Sequence, residues 1–139
     1  MTAKDFIHDI VKNALVKDGW KITDDPLTLE YEDAQLFVDL GAERVIAAER
    51  ENEKIAVEIK SFVGQSVIHD MKLALGQYMM YLSFLEAVEP QRMLFLAITD
   101  IAYLTIFQRK SIQHLVNDYQ LSFIVVDTER EEIIKWEQK

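Results

Sequence analysis

Lys54-Ile55-Ala56-Val57-Glu58-Ile59-Lys60-Ser61 is the stretch that decides how this chain folds. Side chains alternate between the two faces of a strand. Ile55, Val57 and Ile59 therefore share one face and enter a core, while Ala56, Glu58 and Lys60 share the other. A run this apolar reads as a central strand. That puts a carboxylate and an ammonium in a partly enclosed position. Enclosing charges is costly unless they are paired or hold a metal.

The residues before this strand supply a partner. Arg44 to Glu49 is a second β-rich run, joined to it through Glu51-Asn52-Glu53, which is hairpin-length. Gln35 to Leu40 is a third, stopping at Gly41, and Asp39 near its end points away from the side taken by Val38 and Leu40. The hairpin 44–61 is expected to return beside that strand, so that Asp39 and Glu58 converge from two strands. Two carboxylates and the backbone carbonyl at position 59 make a hard oxygen site suited to Mg²⁺ or Mn²⁺. Lys60, on the face of Glu58, is placed to orient and acidify a bound water or to stabilise charge on a phosphate. The same residues admit a second reading, a structural ion-pair network of Asp39, Arg44, Glu58 and Lys60 at a solvated sheet face.

Further outward, Ala3 to Lys17 reads as a helix, with apolar residues at helical spacing from Phe6 to Leu15. Thr2 with Asp5 resembles a capping box, and Asp18-Gly19 ends the helix. Trp20 to Thr23 is a short strand, Asp24-Asp25-Pro26 a turn, and Leu27 to Tyr31 is expected to pair nearby. Val67 to Leu85 is a long helix, apolar at Val67, Met71, Leu75, Tyr78, Leu82 and Leu85 and again at Leu73, Tyr81 and Phe84. That pattern predicts a largely buried helix. Arg92 to Thr99 reads as a central strand. Asp100 to Gln108 and Ser111 to Tyr119 read as short helices. Leu121 to Val126 and Glu132 to Trp136 read as strands around a Thr128-Glu129-Arg130 turn. The order implies an α/β fold, a mixed β-sheet flanked by helices on both faces, in a single domain spanning 1–139.

Composition bounds the function. With 139 residues, half of them hydrophobic, a sizeable core needs no staples. There is no cysteine, so disulfides and thiolate metal sites are excluded. Met1 to Ile10 carries Lys4, Asp5 and Asp9 and lacks an apolar core, so no secretory signal is expected. No stretch is long enough to span a bilayer, and a cytoplasmic location is expected. Lysine plus arginine number 15 against 24 acids, net −9. Phosphate-gripping proteins usually carry a basic patch, and none is dense here. The acidity reads as a solubility feature, or as the mark of a basic partner or bound divalent metal.

Asp39, eighteen residues, then Glu58-Ile59-Lys60 resembles the D-x(n)-(D/E)-x-K core of the PD-(D/E)XK phosphodiesterases. Val38 stands where that motif carries proline. Lys17-Asp18-Gly19-Trp20, Asp25-Pro26-Leu27, Asp39-Leu40-Gly41-Ala42-Glu43, Lys54 through Phe62, Ala74-Leu75-Gly76-Gln77-Tyr78 and the Ile133 to Trp136 ending look like the XisH family. Nearly the whole chain shares the resemblance. XisH proteins are cyanobacterial excision-controlling factors, linked to removal of the fdxN element by site-specific recombination in heterocysts. The resemblance implies a restriction-endonuclease-like fold and a partner, XisI. It also implies Asp39 and Glu58 as metal ligands, Lys60 as the catalytic lysine, and Gln77 as a polar site residue on the following helix. Gln77 reads equally as a surface amide, and Asp5, His8 and Asp9 as a solvated helix face rather than added ligands or a phosphate contact. His69 and His114 lack a second histidine at metal-binding spacing. A homodimer or hetero-complex is expected. Two functions remain open: an endonuclease-like accessory factor acting at DNA, and a non-catalytic module that docks XisI or a recombinase.

Overall fold

A computed structural model describes the backbone over residues 3–36 and 45–139, and side chains over 6–35 and 46–139. The chain runs α1 (Ala3–Lys17), β1 (Lys21–Asp24), β2 (Leu29–Tyr31), β3 (Ala34–Leu36), β4 (Val45–Arg50), β5 (Glu53–Ile59) and α2 (Val67–Val88). It continues through β6 (Met93–Thr99), α3 (Asp100–Thr105), a short 3₁₀ turn (Ile106–Gln108), α4 (Lys110–Asp118), β7 (Phe123–Asp127) and β8 (Glu132–Glu137). A six-stranded sheet has the order β1-β4-β5-β6-β7-β8. Its centre, β5-β6-β7, is parallel, and the pairs toward both edges are antiparallel. Parallel neighbours need crossover connections. Helix α2 supplies the one from β5 to β6, and α3 with α4 the one from β6 to β7.

The period-two reading of β5 holds. Ile55, Val57 and Ile59 join Ile46, Ala48, Phe95, Ala97, Ile124 and Val126 on one face, covered by Ile10, Val11, Ala14 and Leu15 of α1. Ala56 lies on the other face with Ala47, Leu94, Leu96, Ile98 and Val125, beneath Met71, Tyr78, Tyr81 and Leu85 of α2 and Ile112 and Val116 of α4. Both faces are thus dry, which is why β6 and β7 read as unbroken apolar runs. Trp20 and Trp136 belong to the α1 side, with ring centroids 5.9 Å apart.

The β4–β5 hairpin is as expected, with Arg50 opposite Glu53 and Glu51 at φ 54° in the two-residue loop. Gly19 at φ 91° ends α1, a conformation that favours glycine. Thr2 of the expected capping box lies outside the described residues.

Two expectations need correction. Of the strand expected over Gln35 to Leu40, positions 37–40 lie outside the described residues, and Gln35 and Leu36 do not pair with the 44–61 hairpin. Ala34–Leu36 folds back on Leu29–Tyr31 as a separate two-stranded ribbon, while β1 takes the place beside β4. The ribbon packs on α2, where Tyr31 meets Phe84 edge-on at 6.0 Å. Helix α2 also is not buried all round. Ile68, Leu73, Met79 and Met80 are exposed, because the sheet covers one side, the ribbon covers a second, and no described element reaches the third.

Candidate functional site

Strand β5 carries Glu58 and Lys60 toward the end of the sheet where the parallel strands finish. In open α/β sheets, ligands collect at the carboxyl ends of such strands. Glu58 sits opposite Val45 of β4 and Leu96 of β6, and it is only 1% exposed. Lys60 follows the last residue of β5, yet its N–H still donates to the Ala97 carbonyl at 3.0 Å. The ladder therefore extends one residue, and the alternation puts Lys60 on Glu58's side of the sheet, 9% exposed. Ser61 is buried beyond it. The backbone then reverses at Phe62, φ 54°, whose ring packs edge-on against Phe107 at 5.7 Å. A positive φ at a bulky residue is costly and held only by its surroundings. Here it turns the chain off the sheet directly after the Glu-x-Lys pair.

The next segment is fastened to α2. Ser66 caps the helix by accepting from the His69 N–H at 3.2 Å, and Asp70 accepts from the Gly64 N–H at 3.0 Å. A Cβ on Gly64 would fall 2.4 Å from that carboxylate, so a larger residue would push the Asp70 side chain out of this contact. These clips set where α2 crosses the sheet. Tyr81, 7% exposed, comes down beside Glu58. Burial raises the Tyr81 phenol above its ordinary value, and the negative charge of Glu58 raises it further. Gln77 lies one turn before Tyr81 on the same side of α2 and is half-buried.

Glu58 and Lys60 thus share the side of β5 that faces α2, where Tyr81 comes beside Glu58, and Gln77 lies one turn earlier on the helix. Asp39 lies outside the described residues. Asp5 has no described side chain, Asp9 is exposed, and His8 is engaged elsewhere. The His8 ring Nε2 lies 3.0 Å from the Asp25 carboxylate, and Lys12 lies 2.8 Å from it, so this trio pins α1 to the turn after β1. Among the described residues no three histidine, aspartate or glutamate side chains come together as a metal cluster. The donor chemistry of Glu58 and the carbonyl at 59 is that of a hard-cation site, which a second carboxylate would complete.

Tyr81 escaped the sequence reading as a site residue, although its place one turn after Gln77 was the available signal. Arg92 escaped it too. Buried, it donates to the Ile55 carbonyl at 3.0 Å and pairs with Glu89, tying the exit of α2 to β5.

A family profile described as XisH protein matches residues 1–134. The chain belongs to the XisH family. An XisH family protein from Nostoc punctiforme is 41% identical, with a TM-score of 0.89 over 96% of this chain and 100% of that one. An fdxN element excision controlling factor protein from Anabaena variabilis is 43% identical, with a TM-score of 0.88 over 96% of this chain and 99% of that one. No curated protein matches the chain. The α/β sheet and its flanking helices are therefore an XisH architecture shared along nearly the whole length. Among the described residues of this XisH chain, no helix is long and apolar enough to cross a membrane.

Proposed function

We propose that this XisH protein is an excision controlling factor, accessory to site-specific DNA recombination, and that it carries a metal-dependent phosphodiesterase site of the PD-(D/E)XK type. The observation that carries the reading is the burial of Glu58 and Lys60 together, on one face of a central strand, at the carboxyl end of the parallel sheet. A fold seldom retains two such charges there for stability alone, since apolar residues of similar volume do as well or better. The name of the Anabaena variabilis relative supports the biological setting.

In this reading Asp39 and Glu58 hold Mg²⁺ or Mn²⁺, with the carbonyl at 59 as a third oxygen donor. When bound, the ion supplies Lewis-acid polarisation of a phosphate and a nucleophile active at neutral pH. Lys60 places its ammonium beside the phosphate and stabilises charge as it develops. Tyr81, kept protonated by its burial, is a hydroxyl donor within the same enclosure, and Gln77 at its rim orients the scissile strand. The net charge of −9 predicts weak affinity for DNA by this chain alone, because phosphate neutralisation supplies most non-specific binding. A basic partner, XisI-like, is therefore part of the proposal.

Two measurements test it. Mg²⁺ and Mn²⁺ are titrated calorimetrically into wild type and Glu58→Ala, and supercoiled and branched DNA are incubated with each metal, with and without the partner. The expected result is binding of one ion lost in Glu58→Ala, with nicking only in the presence of partner and abolished in Lys60→Ala. Cleavage surviving both substitutions would place the activity elsewhere. Absence of cleavage, with excision in cells intact in Lys60→Ala, would leave the non-catalytic module that docks XisI or a recombinase.

A further inference from the structure

The uncovered side of α2 has a composition that neither the sheet nor the proposed site explains. At 3.6 residues per turn, Ile68, Leu73, Met79, Met80 and Ser83 fall within about 80° of Gly76, and all are exposed. Ile68 and Met80 are each 53% exposed and Leu73 48%. Gly76 lies at the centre of this arc, in mid-helix, where glycine is the worst residue after proline. A Cβ built on Gly76 meets nothing within 4 Å. Among the described residues, then, nothing in the chain's own packing calls for a glycine there, and its missing side chain leaves room for a contact from outside.

Charge says what that contact is. Besides His69, the arc holds one cation and one anion, Lys72 and Glu86. They stand at equal distances from Met79, seven residues before it and seven after. Both fall on the same flank of Gly76, about 40° and about 80° around the helix. A twofold axis through the level of Met79, perpendicular to the plane of two antiparallel helices, preserves that flank and reverses direction along the helix. It therefore sets each Lys72 opposite the other copy's Glu86, and each Gly76 within one residue's rise, about 1.5 Å, of the level of the other copy's Ser83. The two small residues let the helix axes approach to about 8 Å. Within one chain the two charges are about 21 Å apart along the helix and cannot meet.

We infer that a second copy of this chain docks on the exposed face of α2, as an antiparallel, self-complementary helix pair centred on Met79 with reciprocal Lys72–Glu86 contacts. A strip about 10 Å wide along 22 residues covers roughly 330 Å² per copy, less than half of the ~800 Å² of a standard interface. The association is accordingly reversible and concentration-dependent. It does not depend on the Glu58 site.

Sedimentation equilibrium of the full chain over a wide concentration range provides the test, with circular dichroism confirming that each variant folds. Gly76→Gln improves helix propensity and meets no internal clash, so it is expected to raise the thermal midpoint while abolishing the dimer. Lys72→Glu is expected to weaken association about tenfold, as two attractive contacts become repulsive. Lys72→Glu combined with Glu86→Lys is expected to restore it. A wild type that stays monomeric throughout, including one that instead captures a different protein, would overturn the inference. So would a dimer indifferent to Gly76→Gln, or a double charge reversal that fails to rescue.

Discussion

Removing one hydroxyl, Tyr78→Phe, measures how firmly α2 is held over the sheet. The Tyr78 oxygen is buried between three elements. It accepts from the Ser122 N–H at 3.1 Å, at the entrance to β7, and donates toward the Leu94 carbonyl of β6 at 3.4 Å. The second contact is long for a hydroxyl and contributes little. The first satisfies a backbone donor on a residue that is itself buried. Phenylalanine keeps the ring and its packing, so the cost is that of an orphaned N–H, about 1–3 kcal/mol. Relief from desolvating the phenol offsets part of this, leaving ~1–2 kcal/mol. For a domain of this length that is a fall in Tm of roughly 3–8 °C. Urea unfolding followed by circular dichroism reads the free energy directly. The slope should be unchanged, because no surface is exposed that was not before. A loss within experimental error would mean that water replaces the hydroxyl, and that α2 is held by apolar contact alone.

Three further outcomes are expected. Tyr81 has a raised pKa, so the folded state holds its proton more tightly than the unfolded chain; stability from this group is complete below about pH 10 and declines as pH rises through the raised value. Tyr81→Phe should flatten that alkaline decline, and Glu58→Gln should move the tyrosinate absorbance change to lower pH. Asp25→Asn removes the carboxylate shared by His8 and Lys12 and should cost about 1–3 kcal/mol in denaturant unfolding; an unchanged midpoint would show that α1 needs no pin. Gly19→Ala, at φ 91° with a Cβ 3.4 Å from the Arg50 side chain, should cost about 1 kcal/mol or more by the same assay.

Much of the architecture was legible because the signals were periodic. Ile55, Val57 and Ile59 fixed the inward face of β5, and the turn at Glu51-Asn52-Glu53 fixed its hairpin partner, so the sequence alone puts Glu58 and Lys60 on a common face. The unbroken apolar run from Met93 announced a strand covered on both sides. What escaped depended on tertiary choice. Ala34 to Leu36 is as compatible with one strand neighbour as another, and its pairing in the ribbon goes with the packing of Leu29 and Tyr31 on α2, which no local pattern conveys. An apolar helix reads as buried whichever of its sides is covered, so the outward aim of Leu73 and Met80 left no mark in the pattern. The Tyr78 bridge, the Arg92 anchor and the Gly64–Asp70 clip each join residues whose proximity no local rule conveys. Of the candidate site, the common face of Glu58 and Lys60 was legible in the strand's alternation and Gln77 was named through the family resemblance, whereas the approach of Tyr81 to Glu58 was illegible for the same reason.

The attachment of α1 has a consequence for how the protein is made. Asn13 donates to Glu131 at 3.0 Å and Lys17 to the Arg130 carbonyl at 2.6 Å, across 118 and 113 residues of sequence. Ile133 and Trp136 pack against the cluster that α1 roofs. A ribosome delivers α1 first and these partners more than a hundred residues later, at roughly 5–20 residues per second. For several seconds, then, Ile10, Val11, Ala14 and Leu15 emerge with part of their seat missing. The nascent chain should bind a holdase chaperone through this helix. A chain released by a stop codon before Arg130 should stay bound to it, with α1 open to proteases that the finished domain resists.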